Sequence, residues 1–333
     1  MRKPTHHRSI TAMVIVTLLS TAMAVGCGSV ATFAQTAQKK TFKIGMVTFA
    51  GYAPLYLAKE KHFFGDLDVQ LQRIEDVPSI RAAVTKGDLN AYLATPDIAL
   101  DTNTAPPGKA VWAIDESAGG DGVIVSGDIK TLQDLKGKVV GAEPGLPPHF
   151  VLMYLLFKNG MSLSDINLKD MSTQDAASAF VGGKLDGAGI YEPYLSQAKE
   201  QRAGSRVVIS SAQTPGMIVD LIFASDTTIA KQPDEVKAVI AGWRKAMAFI
   251  KSNPDEAYPI MAKAFNLPLN EFKDAVSGIN WLDLDENRKL FGTNETPGPL
   301  VQNFGVVVEV LKRNRPSAYP AKAATYLIRD FIN

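Results

Sequence analysis

A chain of 333 residues has room for two domains and a substantial core. At 46% hydrophobic and 21% charged residues, the composition is that of an ordinary globular protein and excludes a disordered chain. A formal net charge of +1, with no basic patch interleaved with aromatics, gives no ground for a nucleic-acid partner.

The chain begins with Arg2, Lys3 and Arg8 ahead of an apolar run over residues 10–24. That run is shorter than the roughly 20 residues of a membrane span, and its basic flank matches a secretory leader. The predicted product is an exported protein, and loss of those three bases takes the net charge from +1 to −2. Cys27 is the only cysteine, so neither an internal disulfide nor a cysteine-based metal cluster is expected. It closes the apolar run in the context Ala24-Val25-Gly26-Cys27-Gly28-Ser29. This context resembles the bacterial lipoprotein signal, which lipidates the cysteine as first residue. Ala24 stands where that signal most often has leucine, and cleavage after Ala24 or Ala34 into a soluble form is the alternative. Residues 1–26 then read as signal peptide and 27–40 as a tether, small and polar.

Residues 42–47 read as a first strand, Gly51 and Pro54 open a helix over 55–63, and 69–71 form the next strand. A short helix at 78–86, closed by Gly87, leads to a strand at 91–94. Thr95 is placed to cap a helix beginning at Pro96. Strand and helix alternate, which predicts mostly parallel sheets with helices on both faces. The stretch 115–122 then breaks the pattern. A buried-looking strand at 111–114 runs into three acids and three glycines before a second apolar strand leaves. Glycine suits a crossing between two units, and carboxylates between apolar runs are costly if buried unpaired.

The alternation resumes with a capped helix at 131–136, a strand at 139–142, a helix at 150–159 and a strand at 168–171. Ser172 starts a further helix that Asp175 helps cap. Strands at 187–190 and 207–209 follow, and Pro215-Gly216 before the apolar stretch 218–224 is a second candidate crossing. From there the chain turns helical, with acids early and bases late at 233–251, and with helices near 254, 268–277, 300–312 and 321–331.

Several of these stretches resemble one known family. They are GYAPLYLAKEKHFF at 51–64 with LDV at 67–69, LQDLKGKVVG at 132–141, FVGGKLDG at 180–187 with YEPY at 191–194, IFA at 222–224, and NPDEA at 253–257. Their order is that of ABC-transporter solute-binding proteins of the nitrate, aliphatic sulfonate, taurine and thiamine-precursor group. The resemblance implies an α/β, two-lobed periplasmic-binding-protein-like (type II) fold: two mixed sheets flanked by helices, with a ligand cleft between the lobes. One lobe would hold residues 41–120 and 220–333, the other 121–219. It further implies a monomer in the periplasm or at the outer face of the cytoplasmic membrane, handing a small-molecule solute to permease and ATPase subunits, without a cofactor.

Carried onto this sequence, the cleft would be lined by Phe49, Gly51 and Tyr52 after the first strand, and by Thr95 and Asp97 after a later one. The second lobe would add Glu143, His149, Tyr191 and Glu192, and the crossings Asp121 and Asp220. Core packing of the tyrosines and a plain capping role for Thr95 are the competing readings. His62 and His149 are the only histidines outside the leader, a poor basis for a transition-metal site. There is no G-x-S-x-G, Walker or G-x-G-x-x-G motif. Enzymes on this fold, such as a thiamine-pyrimidine synthase, are the reading from another class, with His149 as candidate base. Three prolines in the turn 143–149 lack N–H donors, and no lysine or arginine falls among these cleft motifs. Gathered carboxylates need protons, a cation or N–H donors between them. A nitrogen-rich neutral or cationic solute is therefore expected over a sulfonate.

Overall fold

The computed structural model describes residues 39–100, 106–312 and 323–332. The leader, Cys27 and nearly all of the expected tether lie outside the described residues. No helix among the described residues is long and apolar enough to cross a membrane.

Eleven strands are described: β1 (Thr41–Met46), β2 (Asp68–Arg73), β3 (Ala91–Ala94), β4 (Lys109–Ser117), β5 (Asp121–Val125), β6 (Val139–Ala142), β7 (Asn167–Asp170), β8 (Gly187–Tyr191), β9 (Arg206–Ser210), β10 (Val219–Ala224) and β11 (Ile279–Trp281). They form a six-stranded sheet ordered β11-β4-β10-β3-β1-β2 and a five-stranded sheet ordered β7-β6-β8-β5-β9. Each sheet is mixed. In the first, β1 runs parallel to β2 and β3, while β10 is antiparallel to β3 and β4. In the second, β6 runs parallel to β7 and β8, and β5 is antiparallel to β8 and β9. Strands β3, β5, β8 and β10 are buried at every position, as strands covered by helices on both faces must be.

The chain passes between the sheets twice. The first passage is the turn from β4 to β5. Gly119 takes φ 136° there, and the backbone N–H groups of Ala118 and Gly120 donate to Gly278 O at 2.8 and 3.1 Å. A Cβ on Gly278 would sit 2.8 Å from Gly119 C, so this contact requires glycine. The second passage leaves β9 through a 3-10 turn (Ser211–Gln213) and Gly216 at φ 72° before entering β10. Ser211 stitches the passages together: its Oγ lies 2.8 Å from Ser117 Oγ and accepts from Gly119 N at 2.8 Å. Gly216 N–H donates to Glu116 Oε1 at 2.6 Å, a second tie.

Local chemistry explains the departures from expectation. The helix expected at 131–136 is a single 3-10 turn, Gln133–Leu135, because the Asp134 carboxylate accepts from Lys130 N and Thr131 N and holds a loop. The last helix is one 3-10 turn, Ala323–Tyr326; Leu327 then bridges parallel to Ala110, and Ile328 N–H donates to Ala110 O at 2.9 Å. The chain there extends the first sheet instead of covering it. Strand β11, not anticipated, pairs antiparallel with β4. Thr95 occupies the position before the helix Pro96–Ala99, but its hydroxyl caps nothing. Ser172, by contrast, accepts from Asp175 N as expected.

Candidate functional site

A pocket of about 300 Å³ opens where strands of both sheets end. Val47 and Phe49 reach it from the end of β1, Tyr52 from the turn that follows, Thr95 and Ile98 from the end of β3, and Asp220 from β10. Asp121 at the start of β5, Tyr191 at the end of β8, and Leu146 with Pro147 at the start of the helix Pro147–Lys158 close it from the second sheet. Ligands of open α/β sheets collect at such strand ends.

Its walls are apolar and its polar groups almost all accept. Phe49 packs edge-to-face on Tyr52 (5.2 Å, 79°) and on Tyr191 (6.0 Å, 90°). The Tyr52 hydroxyl donates to Asp220 Oδ1 at 2.5 Å. Opposite Asp220 in the β4–β10 pairing stands Asp115, fully buried, with no hydrogen-bond partner of suitable geometry on either oxygen. Its carboxyl fills the space beside Gly51, where a Cβ would clash with Asp115 Oδ2 and the Phe49 ring. Asp97 is 3% exposed, and neither its oxygens nor the hydroxyl of Thr95 finds a partner of good geometry, although the Thr95 hydroxyl and nearby backbone N–H groups lie close enough to pull against the rise that burial gives Asp97. No lysine or arginine pairs with any of these acids among the described residues.

Burial without cations shifts every one of these groups towards its neutral form. Burial pushes Asp97 and Asp220 each up to about 7. Burial first, then the charge of Asp220, holds Asp115 well above the usual carboxylate range. Asp121 is held high by burial against a hydrogen bond from Ser117 that pulls the other way. Burial and the Asp220 carboxylate together raise Tyr52.

The other expected cleft residues sit nearby without lining the pocket. Gly51 offers its carbonyl to Trp281 Nε1 at 2.8 Å. Glu192 is buried and pushed up to about 7 by burial, but its carboxylate turns to Ser196, accepting from N at 3.1 Å and Oγ at 2.8 Å. Its carbonyl accepts from Ala50 N at 3.3 Å, a backbone link between the two sides of the cleft. Glu143 accepts from Thr173 N at 3.0 Å, and burial raises its pKa. His149 is half-buried on the helix Pro147–Lys158, away from the lining. Sequence reasoning missed Val47, Ile98, Leu146 and Pro147, which read as ordinary apolar residues, and the partnering of Asp115 with Asp220. An acid set in the alternation of a buried strand was the available signal for Asp115. No group of three or more His, Cys, Asp or Glu among the described residues is arranged to hold a metal ion.

Two mixed sheets joined by paired crossings, with a pocket at their facing strand ends, define a two-lobed periplasmic-binding-protein-like fold. A family model described as NMT1/THI5 like matches residues 50–257, and the chain belongs to that family. A binding protein of Brucella abortus (strain 2308) is 32% identical over 162 residues, 47% of this chain. The chain spans about half the length of that relative, 50%. A protein of Bacillus subtilis (strain 168) named for binding aliphatic sulfonates is 25% identical over 242 residues, 70% of this chain and 72% of its own length. Among solved structures, the alkanesulfonate-binding protein from Xanthomonas axonopodis pv. citri, bound to MOPS, superposes with a TM-score of 0.71 at 16% identity. It covers 88% of this chain and 99% of its own.

Proposed function

We propose that this chain is the extracytoplasmic solute-binding component of an ABC importer, taking a small nitrogen-rich, neutral or cationic solute into the pocket between its lobes. The lobes are residues 41–120 with 220–333, and 121–219; closure about the two glycine-bearing crossings traps the solute and presents the closed form to the permease. The carrying observation is the pair Asp121 and Asp220 on the pocket wall, with Asp97 and Asp115 buried within electrostatic reach of them and no lysine or arginine of the described residues paired with any of the four. A ligand that binds the closed form better than the open one shifts that equilibrium by its differential affinity, and unpaired buried acids favour a donor as the ligand. Export by the N-terminal leader, with lipid on Cys27 or release as a soluble form, places the protein outside the cytoplasmic membrane, where it meets the permease and its ATPase.

A second reading, an anionic sulfonate as solute, draws support from the relative in Bacillus subtilis. Two acids on the pocket wall oppose it. Thermal-shift screening of the full-length protein against guanidine, simple amines, urea, aminopyrimidines, taurine, alkanesulfonates and nitrate tests both. Stabilisation by the nitrogenous compounds is expected, and stabilisation by sulfonate or nitrate alone would overturn the reading of the acids. No stabilisation by any member of the panel would count against solute capture of either kind.

A further inference from the structure

With its acids ionised, the pocket's hydrogen-bonding inventory is one-sided. Asp121 and Asp220 line it with carboxyl oxygens, and Tyr52, whose hydroxyl could have served a ligand, already donates to Asp220 at 2.5 Å. Thr95 lines the same pocket at 1% exposure, and its hydroxyl, near Asp97, has no well-aligned hydrogen bond in the protein. A threonine oxygen at a helix start ordinarily takes a backbone N–H, and here it takes none. The remaining walls, Val47, Phe49, Ile98, Leu146, Pro147 and the Tyr191 ring, offer apolar faces. The occupant that satisfies such a wall has several N–H donors at its edge, apolar faces, and no acceptor to be turned against a carboxylate. Its positive charge also offsets the repulsion among the buried acids.

Resting on the reading of this chain as a solute-binding protein, we infer that its solute is a small planar cation bearing only donors, of the guanidinium or amidinium class. Asp121 and Asp220 pair with its N–H edge, Thr95 accepts one further N–H, and the apolar wall covers the rest, with one aromatic ring on a face because Phe49 and Tyr191 stand perpendicular. Paired N–H groups in one plane match carboxylates in a way that a spherical ammonium does not. Among the described residues, no three of these acids are arranged to hold a metal ion. The space between the walls, about 300 Å³ counted with its open mouth, exceeds what a guanidinium or amidinium fills and so bounds the solute only from above.

Isothermal titration of the full-length protein with guanidinium chloride, acetamidinium chloride and urea, at submillimolar ligand and fixed ionic strength, tests this. Urea has nearly the shape of guanidinium but carries no charge and exposes an acceptor, so it separates donor-only recognition from mere fit. Guanidinium and acetamidinium are expected to bind, and urea at least a hundredfold more weakly. Asp121→Asn is expected to weaken guanidinium at least a hundredfold. Thr95→Val is expected to weaken it about tenfold and Thr95→Ser to restore it, with the denaturation midpoint of the unliganded protein unchanged in both, which a purely structural role for Thr95 would not produce. Urea binding as tightly as guanidinium, or absence of binding by both cations, overturns the inference. If another member of the thermal-shift panel then stabilises the protein, solute capture stands and only this solute class falls.

Discussion

Two helix starts in this chain carry nearly the same sequence signal and opposite physics. At the helix Leu284–Phe291, Asp283 accepts from Asp285 N at 2.8 Å and from Glu286 N, while Glu286 reaches back to Asp283 N at 3.0 Å. A hydrogen bond with the Glu286 side chain, then those from the Asp285 and Glu286 N–H groups, hold its pKa below the ordinary value. At the helix Pro96–Ala99, Thr95 holds the same cap place and Asp97 sits two residues on, where Asp285 stands in the other helix; both are buried and accept from no donor with suitable geometry. Burial carries Asp97 up to about 7. The first is a finished cap. The second is a polar surface without partners, and a protein retains one in its interior at a cost that a ligand can offset.

The largest expected consequence is a pH dependence of the unliganded protein that runs against the usual one. A group whose folded pKa is raised binds more protons folded than unfolded, so stability falls as pH rises through that window. For Asp97 alone, a rise from 3.8 to about 7 corresponds to roughly 4 kcal/mol lost between pH 4 and pH 8. Asp220 and Glu192 act in the same direction, each reaching about 7, and Asp115 and Asp121 add to it. Acids with lowered pKa, such as Asp128, Asp134 and Asp283, lose their stabilisation only at lower pH, so the window from 5 to 8 isolates the buried cluster. Unfolding temperatures should therefore fall by several degrees from pH 5 to pH 8. Asp97→Asn should flatten the slope, whereas Asp283→Asn should leave it unchanged; a flat profile in the native protein would contradict the assignment of these acids as unpaired.

Next in size is Gly51→Ala. The added methyl meets Asp115 Oδ2 and the Phe49 ring at once, and overpacking of this kind costs about 1–3 kcal/mol. Because Phe49 is a pocket wall, affinity should drop together with stability. Chemical denaturation and titration on the same variant read both effects, and loss of stability alone would detach Phe49 from the ligand.

Much of this contrast was legible before the fold was known, and the limit is physical. The crossings were readable because Gly119-Gly120 and Pro215-Gly216 interrupt apolar runs, and a turn between sheets needs such residues. Asp121 and Asp220 were readable because each adjoins a crossing. Ala323 to Ile328 was misread because apolar spacing there suits a helix face and a strand-like segment laid against β4 equally well; pairing with Ala110, remote in sequence, decides it. Ile279–Trp281 is too short to carry a period. Whether Thr95 caps, or Glu192 faces a ligand, depends on which way a side chain turns, and Ser196 settles that for Glu192.

A smaller effect is expected at Tyr52→Phe, which removes the donor from Asp220 Oδ1 and leaves the ring packing of Phe49 in place. A buried acceptor stripped of its donor costs about 1–3 kcal/mol. The penalty should shrink at pH 5, where Asp220 takes up a proton, and be largest at pH 8. Equal penalties at the two values would mean that the Asp220 carboxylate is not the group relieved.

The smallest expected effect is the sharpest test, because it compares the two helix starts directly. Asp283→Ala removes a satisfied cap and should destabilise the unliganded protein by about 1 kcal/mol, within the 0.5–2 kcal/mol usual for such losses, while leaving ligand affinity untouched. Thr95→Ala removes a hydroxyl without a well-aligned hydrogen bond, so the unliganded protein should lose little beyond the packing of one methyl and gain from no longer burying that oxygen. Its stability change should therefore lie within about 0.5 kcal/mol of zero, although the position is 1% exposed. The two substitutions thus cross over: one moves stability without affinity, the other affinity without stability. Denaturation and titration of both variants at one pH read the four numbers, and a Thr95→Ala protein destabilised as much as Asp283→Ala would show that its hydroxyl serves the fold after all.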